Sequence, residues 1–285
     1  MTPADPPPST RGAAGTIGLY LFFHDADYAR AAAAAGVDGF VVDLESSGKD
    51  ARQAGADTEI NRNVPADVRR CREAVGDRRI LCRVNNRPGE MEREIEEVVA
   101  AGADEVFVPM VESIDDVRRA QQAIAGRVDL ALMIETEWAV AHADRLAAEP
   151  VRRVFVGLHD LGIQRRSRSL WEGLRDGTVE RVREATGDVA FGFGGMTLPG
   201  GGFPIASRLL AAELSRLGCD YTFLRRSFLR DVPREALGRA VAEMRAAWTR
   251  LAVRSPEAVR RDHDELRAVL DTLLGHSART PAAAR

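Results

Sequence analysis

The chain has 285 residues, 45% of them hydrophobic, and a formal net charge of −3. That size and core fraction fit one α/β barrel or two small domains without disulfide staples, and the charge gives no nucleic-acid signature, so no nucleic-acid partner is expected. Cys71, Cys82 and Cys219 form no CxxC pair and read as reduced intracellular thiols, which points to the cytoplasm, and no apolar run is long enough to span a membrane.

Residues 1–15, rich in Pro, Ala and Thr, read as a disordered leader and not as a signal peptide. Strand-like and helix-like runs then alternate. Residues 16–23 form a first strand, and 25–35 an alanine-rich helix ended by Gly36. Residues 37–44 are a second strand, followed by a polar loop to about Asn63. A helix over 65–75 is closed by Gly76, a third strand covers 79–84, and a helix over 90–101 stops at Gly102. The fourth strand is 105–111, after which Ser113-Ile114-Asp115-Asp116 opens a helix with a capping box. The fifth strand ends at Glu135, a helix covers 138–148, and the sixth strand ends near Asp160. An irregular stretch, 162–187, holds one helix over 177–185. The seventh strand is 189–196, a helix follows over 205–217, and the eighth strand starts at Tyr221.

Eight βα units in strict alternation predict a parallel sheet, closed as a (β/α)₈ TIM barrel over 16–252, with an open doubly wound sheet as the alternative. No GxGxxG follows the first strand, which argues against dinucleotide binding. Two long helices follow, 233–251 and 256–274. The second, within a C-terminal segment 253–276, carries an apolar face (Val259, Leu266, Val269, Leu270, Leu273) that needs a partner, either its own barrel or a neighbouring subunit of a homo-oligomer. Residues 277–285 read as a tail.

In such a barrel functional groups sit at the C-terminal strand ends. Two successive apolar runs end in acids, Glu135 and Asp160, a pair of oxygen ligands for a hard cation such as Mg²⁺. Arg83 lies inside an apolar strand and needs an anion: either a salt bridge to Asp43, Glu45 or Glu112, or a substrate oxyanion whose charge it would stabilise. The glycine-rich run Gly194-Gly195-Met196-Thr197 before a helix could bind a carboxylate or phosphate through backbone N–H groups, or act as a lid. Of Arg225 and Arg226, one should face outward, so at most one, Arg225, is expected in the site. His24 and His159, at strand ends, are the candidate general bases, while His142, His263 and His276 lie on or after helices. The only lysine, Lys49, lies in a polar loop, so a Schiff-base aldolase is disfavoured and carbonyl chemistry here would need a metal.

The series DLE (43–45), RVN (83–85), VPMVES (108–113), MIET (133–136) and GLHDL (157–161) resembles the HpcH/HpaI aldolase and citrate lyase beta-subunit family. The resemblance implies a phosphoenolpyruvate/pyruvate-type barrel with a divalent metal, usually Mg²⁺ with Mn²⁺ as an alternative, on Glu135 and Asp160, and Arg83 on the substrate oxyanion. It further implies carbon–carbon bond cleavage or formation beside a carbonyl, on pyruvate, oxaloacetate or an acyl-CoA, and a C-terminal helix exchanged between subunits. The chain departs from the pattern at Ser46, where the aldolases carry histidine and the citrate lyases an acid, and Met110 stands where the latter have lysine. The expected activity is therefore a metal-dependent lyase or aldolase on a 2-oxo acid. The alternatives are an acyl-CoA lyase or condensing enzyme, and a barrel that binds a carboxylate without catalysis.

Overall fold

Strand side chains alternate in direction, so one parity of each strand fills the barrel and the other meets the helices. In the computed structural model, which describes residues 16–46 and 63–277, this alternation is visible throughout. The strands are β1 (Gly18–Phe22), β2 (Gly39–Asp43), β3 (Arg79–Arg83), β4 (Glu105–Val108), β5 (Asp129–Ile134), β6 (Arg153–Val156), β7 (Ala190–Met196) and β8 (Tyr221–Leu224). They pair in parallel in sequence order and β8 closes on β1, so the chain is a TIM barrel and not an open sheet. Tyr20, Val41, Leu81, Phe107, Ala131, Phe155, Tyr221 and Phe223 fill the interior, and the opposite parity packs a larger layer under the helices.

The helices lie outside: α1 (Ala26–Ala34), α2 (Pro65–Val75), α3 (Glu90–Ala100), α4 (Ile114–Ile124), α5 (Glu137–Ala141), α6 (Ala143–Ala147), α7 (Leu158–Gln164), α8 (Glu172–Arg175), α9 (Thr178–Ala185), α10 (Ser207–Arg216), α11 (Arg226–Asp231), α12 (Leu237–Ala252) and α13 (Pro256–Ser277). Ser113 and Asp116 make the reciprocal cap that opens α4. The helix expected over 138–148 is broken at His142. Its ring stacks on Trp138 at 4.3 Å and its Nδ1 lies 2.8 Å from the Trp138 carbonyl oxygen.

The C-terminal helix α13 docks on its own barrel. Leu266 and Leu270 are buried, Arg254 pairs with Asp262 at 2.6 Å, and His263 Nδ1 lies 3.1 Å from Glu213 of α10. The leader 1–15, the loop between 46 and 63, Lys49 and the tail beyond Ser277 lie outside the described residues. No described helix is long and apolar enough to cross a membrane.

Candidate active site

The middle of the barrel interior is apolar, and at the C-terminal mouth the same inward parity carries charged side chains. Continuing the inward parity, β2 delivers Asp43, β3 Arg83, β5 Glu135 and β8 Arg225, all lining a cavity of about 770 Å³ at the C-terminal mouth. Its walls include Phe22, Met133, Phe155 and Phe223, so ions there have little water beside them.

Arg83 is held by Asp43, with Nε on Oδ1 at 2.8 Å and Nη2 on Oδ2 at 2.7 Å, while Nη1 lies 3.3 Å from Glu45. Burial works against this charge, but Asp43 and Glu45 outweigh it and hold the guanidinium pKa well above its ordinary value. Of the three acids expected as its partners, two pair with it. Glu112 is instead exposed, its Oε1 3.4 Å from Gln164 Nε2, because β4 stops at Val108 and the chain turns away.

That early turn has a use. Met110 adopts φ 49°, in the left-handed region, and its backbone N–H donates to Glu135 Oε1 at 2.9 Å. Glu135 Oε2 is buried and accepts no hydrogen bond, and no cation pairs with this carboxylate among the described residues. Burial first, then the charges of Asp160 and Glu45, push its pKa up to about 8; Arg83 and the Met110 N–H act against the rise. Asp160 is buried and lies in the first turn of α7. It is not at a strand end, since β6 stops at Val156.

Four features escape the sequence reading. A Cβ at Gly157 would come within 2.4 Å of Glu135 Oε2, so this glycine makes room for the carboxylate. A Cβ at Gly195 would lie 2.9 Å from Arg225 Cγ. Trp171 is buried, and the Arg225 guanidinium lies 5.3 Å from its ring centroid. Asn85 donates to both Glu94 (2.7 Å) and the Leu44 carbonyl (3.2 Å) and accepts from Ser46 N–H (3.0 Å), so it ties the loop after β2 to β3. Only the bare polar letters Asn85 and Glu94, nine residues apart, hinted at that tie.

His159 is half-buried and lines the cavity beside Asp160; His24 lines it too but is exposed at the rim. Gly194 and Gly195 line it, whereas Met196 is packed in the outer core and Thr197 is tied to Ser207, its carbonyl accepting at 2.9 Å. Arg226 is exposed on the rim. Away from the mouth, Glu180, Glu213 and His263 approach within 4.8 Å of one another, but Arg216 already pairs with both carboxylates.

The model of the HpcH/HpaI aldolase/citrate lyase family matches residues 16–172, more than half of the sequence. The chain belongs to this family. The match runs from the first strand past Glu135 and Asp160 and contains Asp43 and Arg83. Among solved structures the fold resembles the protein CitE from Mycobacterium tuberculosis in complex with magnesium and pyruvate (19% identity, TM-score 0.53), covering 90% of this chain and 98% of that one. A CitE structure with magnesium and acetate gives 19% identity and a TM-score of 0.51, covering 87% and 95%. RipC from Yersinia pestis gives 15% and 0.52, covering 86% and 99%. No curated protein sequence gives a match.

Proposed function

We propose that this family member is a Mg²⁺-dependent carbon–carbon lyase or aldolase acting through an enolate on a 2-oxo acid such as pyruvate or oxaloacetate. The observation that carries the reading is Glu135, a buried carboxylate that forms no ion pair among the described residues, facing a cavity beside Asp160. The donor set fits the ion: it offers only oxygens at that point, in excess of cations, with one Glu135 oxygen unengaged. Mg²⁺, or Mn²⁺ in its place, would be held by Glu135 and Asp160 and would supply a Lewis acid for the substrate's carboxylate and 2-oxo group. The magnesium and pyruvate in the CitE structure support the same reading.

The chain's own residues divide the remaining work. Asp43 fixes the Arg83 guanidinium, Nη1 is taken up by Glu45 and Met133, and the second Nη2 N–H meets the negative charge that develops on the 2-oxo oxygen. His159, half-buried on the cavity wall, takes the proton from the substrate hydroxyl on cleavage and returns it on condensation. It fills the part left open by Ser46 better than exposed His24 does. Phe22, Phe155 and Phe223 exclude water that would quench the carbanionic carbon.

Exchange of pyruvate methyl protons in D₂O, followed by NMR with Mg²⁺ and with chelator, tests the reading. The wild type should exchange only with metal, and Glu135→Gln should lose at least about a thousandfold, the several kcal/mol that a catalytic ion supplies. Exchange that survives chelation, or that Glu135→Gln retains, would remove the metal from the proposal. On a cleavable aldol, His159→Ala should cost about 10²–10⁴ in kcat, the range for a lost general base, and His24→Ala far less.

A further inference from the structure

The arginines of this barrel are mostly matched to acids: Arg83 to Asp43, Arg79 and Arg153 to Glu105, Arg254 to Asp262. Arg225 is different. It follows Tyr221 and Phe223 in the inward parity of β8 and lines the same cavity as Glu135 and Asp160. No hydrogen bond or ion pair engages its guanidinium among the described residues. Its one contact of note is the Trp171 ring, 5.3 Å away, and Trp171 is itself buried. Burial lowers its pKa with no acid to oppose the effect. The stem is seated because Gly195 presents no side chain 2.9 Å from its Cγ. A cation packed in this way, with nothing to neutralise it, is costly unless a ligand brings the anion.

Its position says which part of a ligand it meets. Arg225 on β8 stands three strands round the barrel from Glu135 on β5 and three from Arg83 on β3. We propose that Arg225, backed by Trp171, is a second oxyanion subsite that binds a carboxylate or phosphate at the far end of the substrate. With the 2-oxo acid head at the Glu135, Asp160 and Arg83 side, which rests on the function proposed above, the substrate class becomes a dianion: a 2-oxo acid whose other end is charged. A guanidinium fork matches either oxyanion through paired N–H donors.

Isothermal titration of the full-length, Mg²⁺-loaded protein with three 2-oxo acids of one chain length tests this. The three probes are 2-oxopentanoate, 2-oxoglutarate, and the 5-phosphate ester of 5-hydroxy-2-oxopentanoate. The wild type should prefer at least one charged tail over the methyl tail by about ten- to a hundredfold in Kd, the range for a charge-assisted hydrogen bond. Whichever tail wins names the anion. Arg225→Gln should collapse the preference to about one, and Arg225→Lys, which keeps the charge but not the fork, should restore part of it. Equal affinities in the wild type, or a preference that Arg225→Gln retains, overturn the subsite. Glutarate against pentanoate separates the two proposals. If only the 2-oxo reading is wrong, the Arg225-dependent preference persists with these ligands, which lack the keto group. If the subsite is wrong, it is absent from both series.

Discussion

Glu105 and Glu135 sit on neighbouring strands at opposite ends of the barrel, equally buried, in opposite electrical situations. At the N-terminal end Glu105 lies between two arginines, with Arg79 Nε at 2.9 Å from Oε2 and Arg153 Nε at 2.8 Å from Oε1. Arg79 continues the network to Asp129, and Arg153 packs over Tyr20 and Tyr221 at 5.1 and 4.8 Å and donates to the Tyr20 hydroxyl. At the C-terminal end Glu135 has one backbone N–H and the negative charges of Asp160 and Glu45. A closed network of matched charges serves the fold, whereas an acid left in surplus is held there for something that arrives from outside. On the function proposed above, the same scaffold separates stability from function along its axis, the arrangement expected for this architecture.

The sharpest way to break that contrast is to remove each acid in turn. Glu105→Gln should destabilise the protein by about 3–5 kcal/mol, because it leaves Arg153 buried without its anion. Urea unfolding measures the loss, and calorimetric titration should find Mg²⁺ affinity unchanged at the other end. A mild Glu105 variant would mean that the lower network is not a structural clamp.

A smaller change probes the upper end without touching charge. Gly157→Ala puts a Cβ 2.4 Å from Glu135 Oε2 and 2.9 Å from its Cβ, so the carboxylate must move. Overpacking of this kind costs about 1–3 kcal/mol. Here the cost should appear as weaker metal binding and slower pyruvate exchange as well as a lower Tm. A variant that loses stability but binds Mg²⁺ as before would show that Glu135 is not held in place for the ion.

The two ends were not equally legible in the sequence. Apolar runs such as Leu130–Ile134 and the turn glycines Gly36, Gly76, Gly102 and Gly218 are local signals that mark all eight strands, and the count of eight favours closure over an open sheet. The carboxylates and Arg83 at strand ends were equally visible, since parity alone aims them inward. What escaped depends on contacts between distant segments. The short helices α7 and α8 lie in a stretch with weak periodicity, so Asp160 was read at a strand end when it sits on a helical turn. Met110 shows no sequence sign of its left-handed backbone, a conformation that glycine usually occupies. Trp171 is a lone aromatic in a polar run, and nothing local says that Arg225, 54 positions on, will lie over it. Strand arithmetic groups Glu112 with Arg83 because it carries β4 to residue 111, three residues further than Val108.

The pH dependence of metal-free protein gives the most delicate test of the surplus acid. Folding raises the Glu135 pKa from 4.5 to about 8, so between those values the native state holds a proton that the unfolded chain has released. Stability from this group is therefore fully present below about pH 4.5 and is lost as pH rises through about 8. Gln at this position has no such proton to lose. Without metal, Glu135→Gln should gain on the wild type by about 1–2 kcal/mol between pH 5 and pH 8.5, well below the linkage limit because cavity water screens the ionised form. Carboxylates remote from Glu135 cancel in the difference, so what is left reports Glu135 and the acids it faces. Saturating Mg²⁺ should reverse the wild-type slope, since the ion favours the ionised carboxylate and displaces its proton, and should leave Glu135→Gln unmoved. Melting curves of both proteins at pH 5, 6.5 and 8.5, with Mg²⁺ and with chelator, measure all of this. Parallel curves under every condition would mean that Glu135 is as well matched as Glu105, and the distinction between the two ends of the barrel would be gone.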